Sequence, residues 1–160
     1  MVRSHNTSWQ PLAWEPAIPR QSWDGADPAG GHLARWAAKE TLIRGVVALA
    51  PISDLRFAAS LGLDGRVVDE LLASDGAPRE EAIARASPVE RLPIGAPQIL
   101  LHGTDDRSVP IAMSEAYTRR ARAAGDHAEL RPLVGIDHLG PIDLESTACA
   151  PARDALRELA

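Results

Sequence analysis

Short aliphatic runs alternate with stretches of helical periodicity along most of this chain. Residues 29–40 place Leu33, Trp36 and Ala37 on one side and Arg35, Lys39 and Glu40 on the other, which predicts an amphipathic helix. Asp27 suits its N-cap, and Pro28 suits its first turn, where a missing N–H costs nothing. Arg44–Ala50 (RGVVALA) is a valine-rich run closed by Pro51, with Ser53 and Asp54 as turn residues; it predicts a buried strand of the parallel-sheet kind. Residues 55–92 are more polar and predict a helical insert. Its two short helices fall around Val67–Ala73 and Arg79–Ala86, parted by Gly76 and Pro78 and ended by Ser87-Pro88.

The second half repeats the alternation. Gln98–Leu101 (QILL), entered through Pro97, predicts a strand, and Ile111–Ala124 a helix stopped by Gly125. His127–Val134 is a third strand candidate, weakened by Pro132. A last helix is predicted from Ala152, with Ala155, Leu156 and Leu159 on one side. Strands separated by helices imply an α/β fold with a mostly parallel sheet and flanking helices.

Residues 1–27 break the pattern. They hold three of the four tryptophans and three prolines, and show neither strand alternation nor helical periodicity. The chain therefore divides into an irregular segment, 1–27, and an α/β portion, 28–160, containing the 55–92 insert.

Charge and cysteine content narrow the chemistry. The 160 residues carry a net charge of −5 and a pI near 5.5, which disfavours a nucleic-acid or anionic-membrane surface. The Arg119, Arg120 and Arg122 cluster reads as a solvated helix face. Cys149 is the single cysteine, so a disulfide framework and a cysteine-based metal site are both excluded. The five histidines show no metal-ligand spacing, and no metal or other cofactor is expected. No apolar run approaches the roughly 18 residues of a membrane span. The first residues lack the pattern of a signal peptide, making a cytoplasmic setting the expectation.

Two loops that follow strands carry an acid and a histidine. The first is His102-Gly-Thr-Asp-Asp106-Arg-Ser-Val109-Pro110, and the second is Gly135-Ile-Asp-His138. Upstream stands Asp27-Pro28-Ala29-Gly30-Gly31-His32-Leu33-Ala34. These three stretches, in this order, resemble the nucleophile elbow, acid loop and histidine loop of the α/β-hydrolase superfamily. The likeness is greatest to its esterase/lipase and prolyl-oligopeptidase-like serine hydrolases, and spans about residues 29–146. The resemblance implies a partial α/β-hydrolase fold containing about the last three strands. It also implies catalytic roles for Asp106 and His138, and a small-molecule ester or peptide substrate. In such a triad the imidazole takes the proton of a weakly nucleophilic serine, and the carboxylate fixes the imidazole's tautomer.

The serine itself is replaced. Aligned on Ala-Gly-Gly-His-Leu-Ala, the nucleophile position falls on Pro28, which has neither a nucleophilic atom nor an N–H. Asp27 is the one carboxylate that could stand in. The oxyanion donor after it would then be Pro28, and loss of one such donor costs about 3–4 kcal/mol. No His-Gly-Gly oxyanion turn lies upstream; the His-Gly pair at 102–103 belongs to the acid loop. Asp105 and Asp137 compete with Asp106 for the acid role. His102 and His32 read as structural, and His5 and His127 carry no signal. Two readings follow: a hydrolase-family chain inactive as written, or a non-catalytic remnant or binding module. Residues 1–27 are expected to be foreign to the family, through a disturbed frame or misplaced start. The sheet is expected to expose an edge at Val46-Val47 through which copies could associate.

Overall fold

A computed structural model describes residues 43–63, 78–143 and 145–159. The expected helices at 29–40 and around Val67–Ala73, and the segment 1–27, lie outside the described residues.

Three strands, β1 (Val46–Leu49), β2 (Gln98–Gly103) and β3 (Ala128–Leu133), form one parallel sheet in the order β1-β2-β3. Every residue of β2 is buried, because the central strand is covered on both faces. Alternation along the strands sends Leu49, Ile99, Leu101 and Leu133 to one face. There they pack on Ala148 and on Ala152 and Ala155 of helix α4 (Cys149–Leu159). Leu100 and Ala128 face the other way, against Tyr117 and Ala121 of helix α3 (Ile111–Ala123) and against Val89. Val46, Ala48 and Ile94 extend that second layer. The expected α/β architecture is thus present, with helices on opposite faces of a parallel sheet.

The elements differ from expectation in several places. β2 continues two residues past Leu101, since His102 and Gly103 still pair with Pro132 and Leu133. Pro132 is accommodated because β3 borders only β2 among the described residues, so no second ladder requires its N–H. Helix α4 starts at Cys149, three residues before the expected Ala152, because Pro151 falls within its first turn, where proline is tolerated. A six-residue helix, α1 (Leu55–Ser60), was not expected. It is too short to show periodicity, but Asp54 caps it by accepting from the N–H groups of Arg56 and Phe57, both at 3.0 Å. Helix α2 (Arg79–Ala86) matches its predicted limits, and a 3₁₀ turn over Pro88–Arg91 follows it.

The two ends of the sheet are built differently. At the N-terminal end of β2, Gln98 is buried and its amide oxygen accepts from Tyr117 O–H at 2.8 Å. Its amide N–H donates to Asp126 at 3.2 Å, and Asp126 also accepts from the N–H groups of Ile94 (2.8 Å) and Gly95 (2.9 Å). At the C-terminal end the chain leaves the sheet abruptly. Ala50, directly after β1, holds φ at +39°, a conformation that costs a non-glycine residue roughly 1–2 kcal/mol. The loops after β2 and β3 leave at this same end, where parallel α/β sheets carry their ligand sites.

Candidate active site

The loops after β2 and β3 are locked together by their backbones. Thr104 N–H donates to Leu133 O and Asp105 N–H to Ile136 O, both at 3.0 Å; Gly135 N–H donates to Thr104 Oγ1 at 2.9 Å. Gly103 permits this approach: a Cβ built on it would fall on the carbonyl oxygen of Ile136. Gly135, at φ +72°, makes the turn out of β3.

This junction brings two of the sequence-predicted residues together. Asp106 Oδ1 accepts from the N–H groups of Ser108 and Val109, both at 2.8 Å. Its Oδ2 lies 2.7 Å from His138 Nδ1. The carboxylate side chain is fully buried, while the His138 side chain retains 16 % exposure. A carboxylate oxygen accepts, so the bond assigns the proton to Nδ1 and leaves the lone pair of the neutral ring on Nε2. An imidazole held this way can take a proton at Nε2 from a hydroxyl or water in front of it.

The competing acids are engaged elsewhere. Asp137 Oδ1 accepts from Leu139 (3.2 Å) and Gly140 (2.9 Å) N–H, fixing the loop on either side of His138. Asp105 is exposed and accepts from the Thr104 hydroxyl at 3.2 Å. His102 is buried at the end of β2, with Nδ1 2.7 Å from Ser114 Oγ and Nε2 2.8 Å from Val109 O. His127 stands at the opposite end of the sheet, where its carbonyl accepts from Gln98 N–H. Pro28, Asp27, His32 and His5 lie outside the described residues. Ser114 and Thr104 had no sequence signal: each acts through a partner in a different loop or strand. Among the described residues, no three His, Cys, Asp or Glu side chains are arranged to hold a metal ion, and no helix is long and apolar enough to cross a membrane.

The sequence pattern of the prolyl oligopeptidase family matches residues 28–146. The chain belongs to the prolyl oligopeptidase family. Among solved structures, esterase 2 from the planctomycete Thermogutta terrifontis, with propionate bound, superposes with a TM-score of 0.59 at 23% identity. That match covers 84% of this chain and 52% of the esterase. The same esterase phosphoramylated by tabun gives 0.59 at 21%, covering 81% and 50%. Pyrococcus horikoshii acylaminoacyl peptidase gives 0.57 at 19%, covering 81% of this chain and 21% of the peptidase. The chain thus spans about half the length of the esterase and a smaller share of the peptidase. No functionally curated protein matches it. For this prolyl oligopeptidase family member, the structural likeness establishes a partial α/β-hydrolase fold.

Proposed function

We propose that this chain carries the acid–base half of a serine-hydrolase triad, with His138 as general base and Asp106 as the carboxylate that orients it. The observation that supports this most directly is the 2.7 Å bond between Asp106 Oδ2 and His138 Nδ1. The reading makes the chain a relative of hydrolases of esters or peptides, with a small-molecule substrate of that kind where a nucleophile is present. The exposed Val134 and Leu139 stand on the same loop as His138 and offer an apolar rim to an acyl group or side chain. Residues 28–160 form the hydrolase portion in this reading, with 55–92 as the insert on the substrate side.

The sequence as given is inactive in this reading, because Pro28 occupies the nucleophile position. His138 then has no serine to activate. With a p-nitrophenyl short-chain ester the purified chain gives no turnover above background, and Pro28→Ser alone does not restore it. Turnover that His138→Ala abolishes would overturn the inactive reading. The non-catalytic alternatives separate by thermal unfolding with light scattering. A binding module unfolds cooperatively from a defined oligomer, whereas a remnant scatters light before it melts.

A further inference from the structure

The carboxylate of Asp106 meets a second imidazole. His102 Nε2 lies 3.3 Å from Asp106 Oδ2, the same oxygen that bonds His138. The His102 and Asp106 side chains are both fully buried. The His102 tautomer follows from its partners. The carbonyl of Val109, 2.8 Å from Nε2, can only accept, so Nε2 carries a proton. A neutral ring then has its lone pair on Nδ1, where the Ser114 hydroxyl at 2.7 Å donates. The ring is satisfied without a net charge, and its Nε2–H lies between Val109 O and Asp106 Oδ2.

Those contacts span three elements. Val109 closes the acid loop, and its own N–H is one of the two donors to Asp106 Oδ1. Ser114 is a buried residue of α3, and His102 itself is fixed in β2 through the register with Pro132. The ring therefore ties the strand to the helix and to the loop between them. Without it, the inner side of Asp106 loses its partner and the Val109 carbonyl its donor.

We propose that His102 is a positioning residue for the Asp106–His138 pair. It clamps the acid loop from inside the fold, so that Oδ2 stays turned toward His138. Glutamine retains an amide N–H that can reach the Val109 carbonyl; leucine keeps bulk and loses every polar contact. This role rests on the pair proposed above, and the test reads the two separately.

The probe is the His138 Nδ1–H proton in ¹⁵N-histidine-labelled full-length protein, followed by NMR for its shift and its exchange with water. In the parent chain, a downfield signal that disappears in Asp106→Asn establishes the pair. Its absence from the parent, or its survival in Asp106→Asn, refutes the pair itself. With the pair established, and with exchange read well below the variant's own lowered melting temperature, His102→Leu exchanges that proton about tenfold faster while core amides stay protected, the factor expected from losing one hydrogen bond of local stability. His102→Gln restores slow exchange. An unchanged exchange rate in His102→Leu overturns the positioning role, as does equal acceleration in the leucine and glutamine variants. Should His102→Leu fail to fold, Ser114→Ala decides. Loss of the donor to Nδ1 loosens the ring and speeds His138 exchange about threefold, and no change refutes the clamp.

Discussion

Two buried aspartates anchor opposite ends of the same central strand, and they are bonded almost alike. Asp126, at the N-terminal end, accepts two backbone N–H bonds and one from the Gln98 amide. Asp106, at the C-terminal end, accepts two backbone N–H bonds and one from the His138 imidazole. Asp106 also faces the buried His102 Nε2 at 3.3 Å, and the telling difference lies in the third donor of each set. Gln98 is sealed in the core and bonded in turn to Tyr117, so this donor has no free polar group. His138 is partly exposed and presents an unbonded ring nitrogen among the described residues. One arrangement can only hold the fold together; the other also leaves a base at the surface.

The largest expected effect breaks the N-terminal end. Asp126→Ala leaves the buried Ile94 N–H and Gln98 amide, and the part-buried Gly95 N–H, without their acceptor, and costs about 3–5 kcal/mol. Asp106→Ala costs about 1–2 kcal/mol less, because the freed His138 imidazole can turn to water and the buried His102 Nε2–H keeps the Val109 carbonyl. Urea unfolding of the two variants against the parent measures both. Equal losses would mean that the two aspartates do the same structural work and that the comparison fails.

The sequence showed one of these aspartates and not the other. Asp106 stood inside a contiguous loop motif, followed by a histidine loop in the family's order, so its partner could be named. Asp126 had no such frame. Its donors come from residues 94, 95 and 98, and only the packing of α3 and β3 on β2 brings them to it. The same reason hid Ser114, which lies twelve positions from His102 and meets it only because α3 folds back across the sheet. Strand cores were legible because valine and leucine runs report burial directly. Helix α1 was not, since one capped turn and a half leaves no period to read. Pro132 weakened β3 in the sequence, yet an edge position in the described sheet removes the objection.

The next effect contrasts two glycines, one at each end of the sheet. Gly103→Ala drives a Cβ into the Ile136 backbone at the junction of the loops that carry Asp106 and His138, where nothing flexible can yield. It is expected to cost about 2–3 kcal/mol and to separate Asp106 from His138. Gly45, just before β1, would place its Cβ 2.8 Å from the Leu159 side-chain tip, which can rotate away, and 3.1 Å from the Pro97 carbonyl oxygen, which needs a shift of only a few tenths of an ångström. Gly45→Ala costs under about 1 kcal/mol. Thermal unfolding ranks the two, and the His138 Nδ1–H signal reports the junction. A Gly103→Ala variant that keeps both stability and signal would show that the loops tolerate a wider separation than their hydrogen bonds indicate.

The smallest effect concerns a third carboxylate, charge-paired but not buried. Glu129, on β3, receives Arg131 Nε at 2.8 Å and Nη2 at 3.0 Å, and Nη2 also reaches Glu158 on α4. The hydrogen bonds from Arg131 hold the Glu129 carboxyl below its ordinary value, against a weaker opposing effect of burial. The same bonds push Arg131 upward, so the guanidinium stays charged throughout. A carboxyl with a lowered folded-state pKa stabilises the fold above its unfolded value near 4.5 and loses that contribution as pH falls through the folded value. With the Glu129 side chain 42% exposed, solvent screening limits the contribution to under about 1 kcal/mol. Glu129→Gln therefore lowers stability slightly at pH 7 and flattens the loss between about pH 5 and pH 3. Unfolding free energies at the two pH values check it. A Glu129 effect as large as that of Asp126 would place surface charge pairing, rather than buried hydrogen bonding, at the centre of this fold's stability.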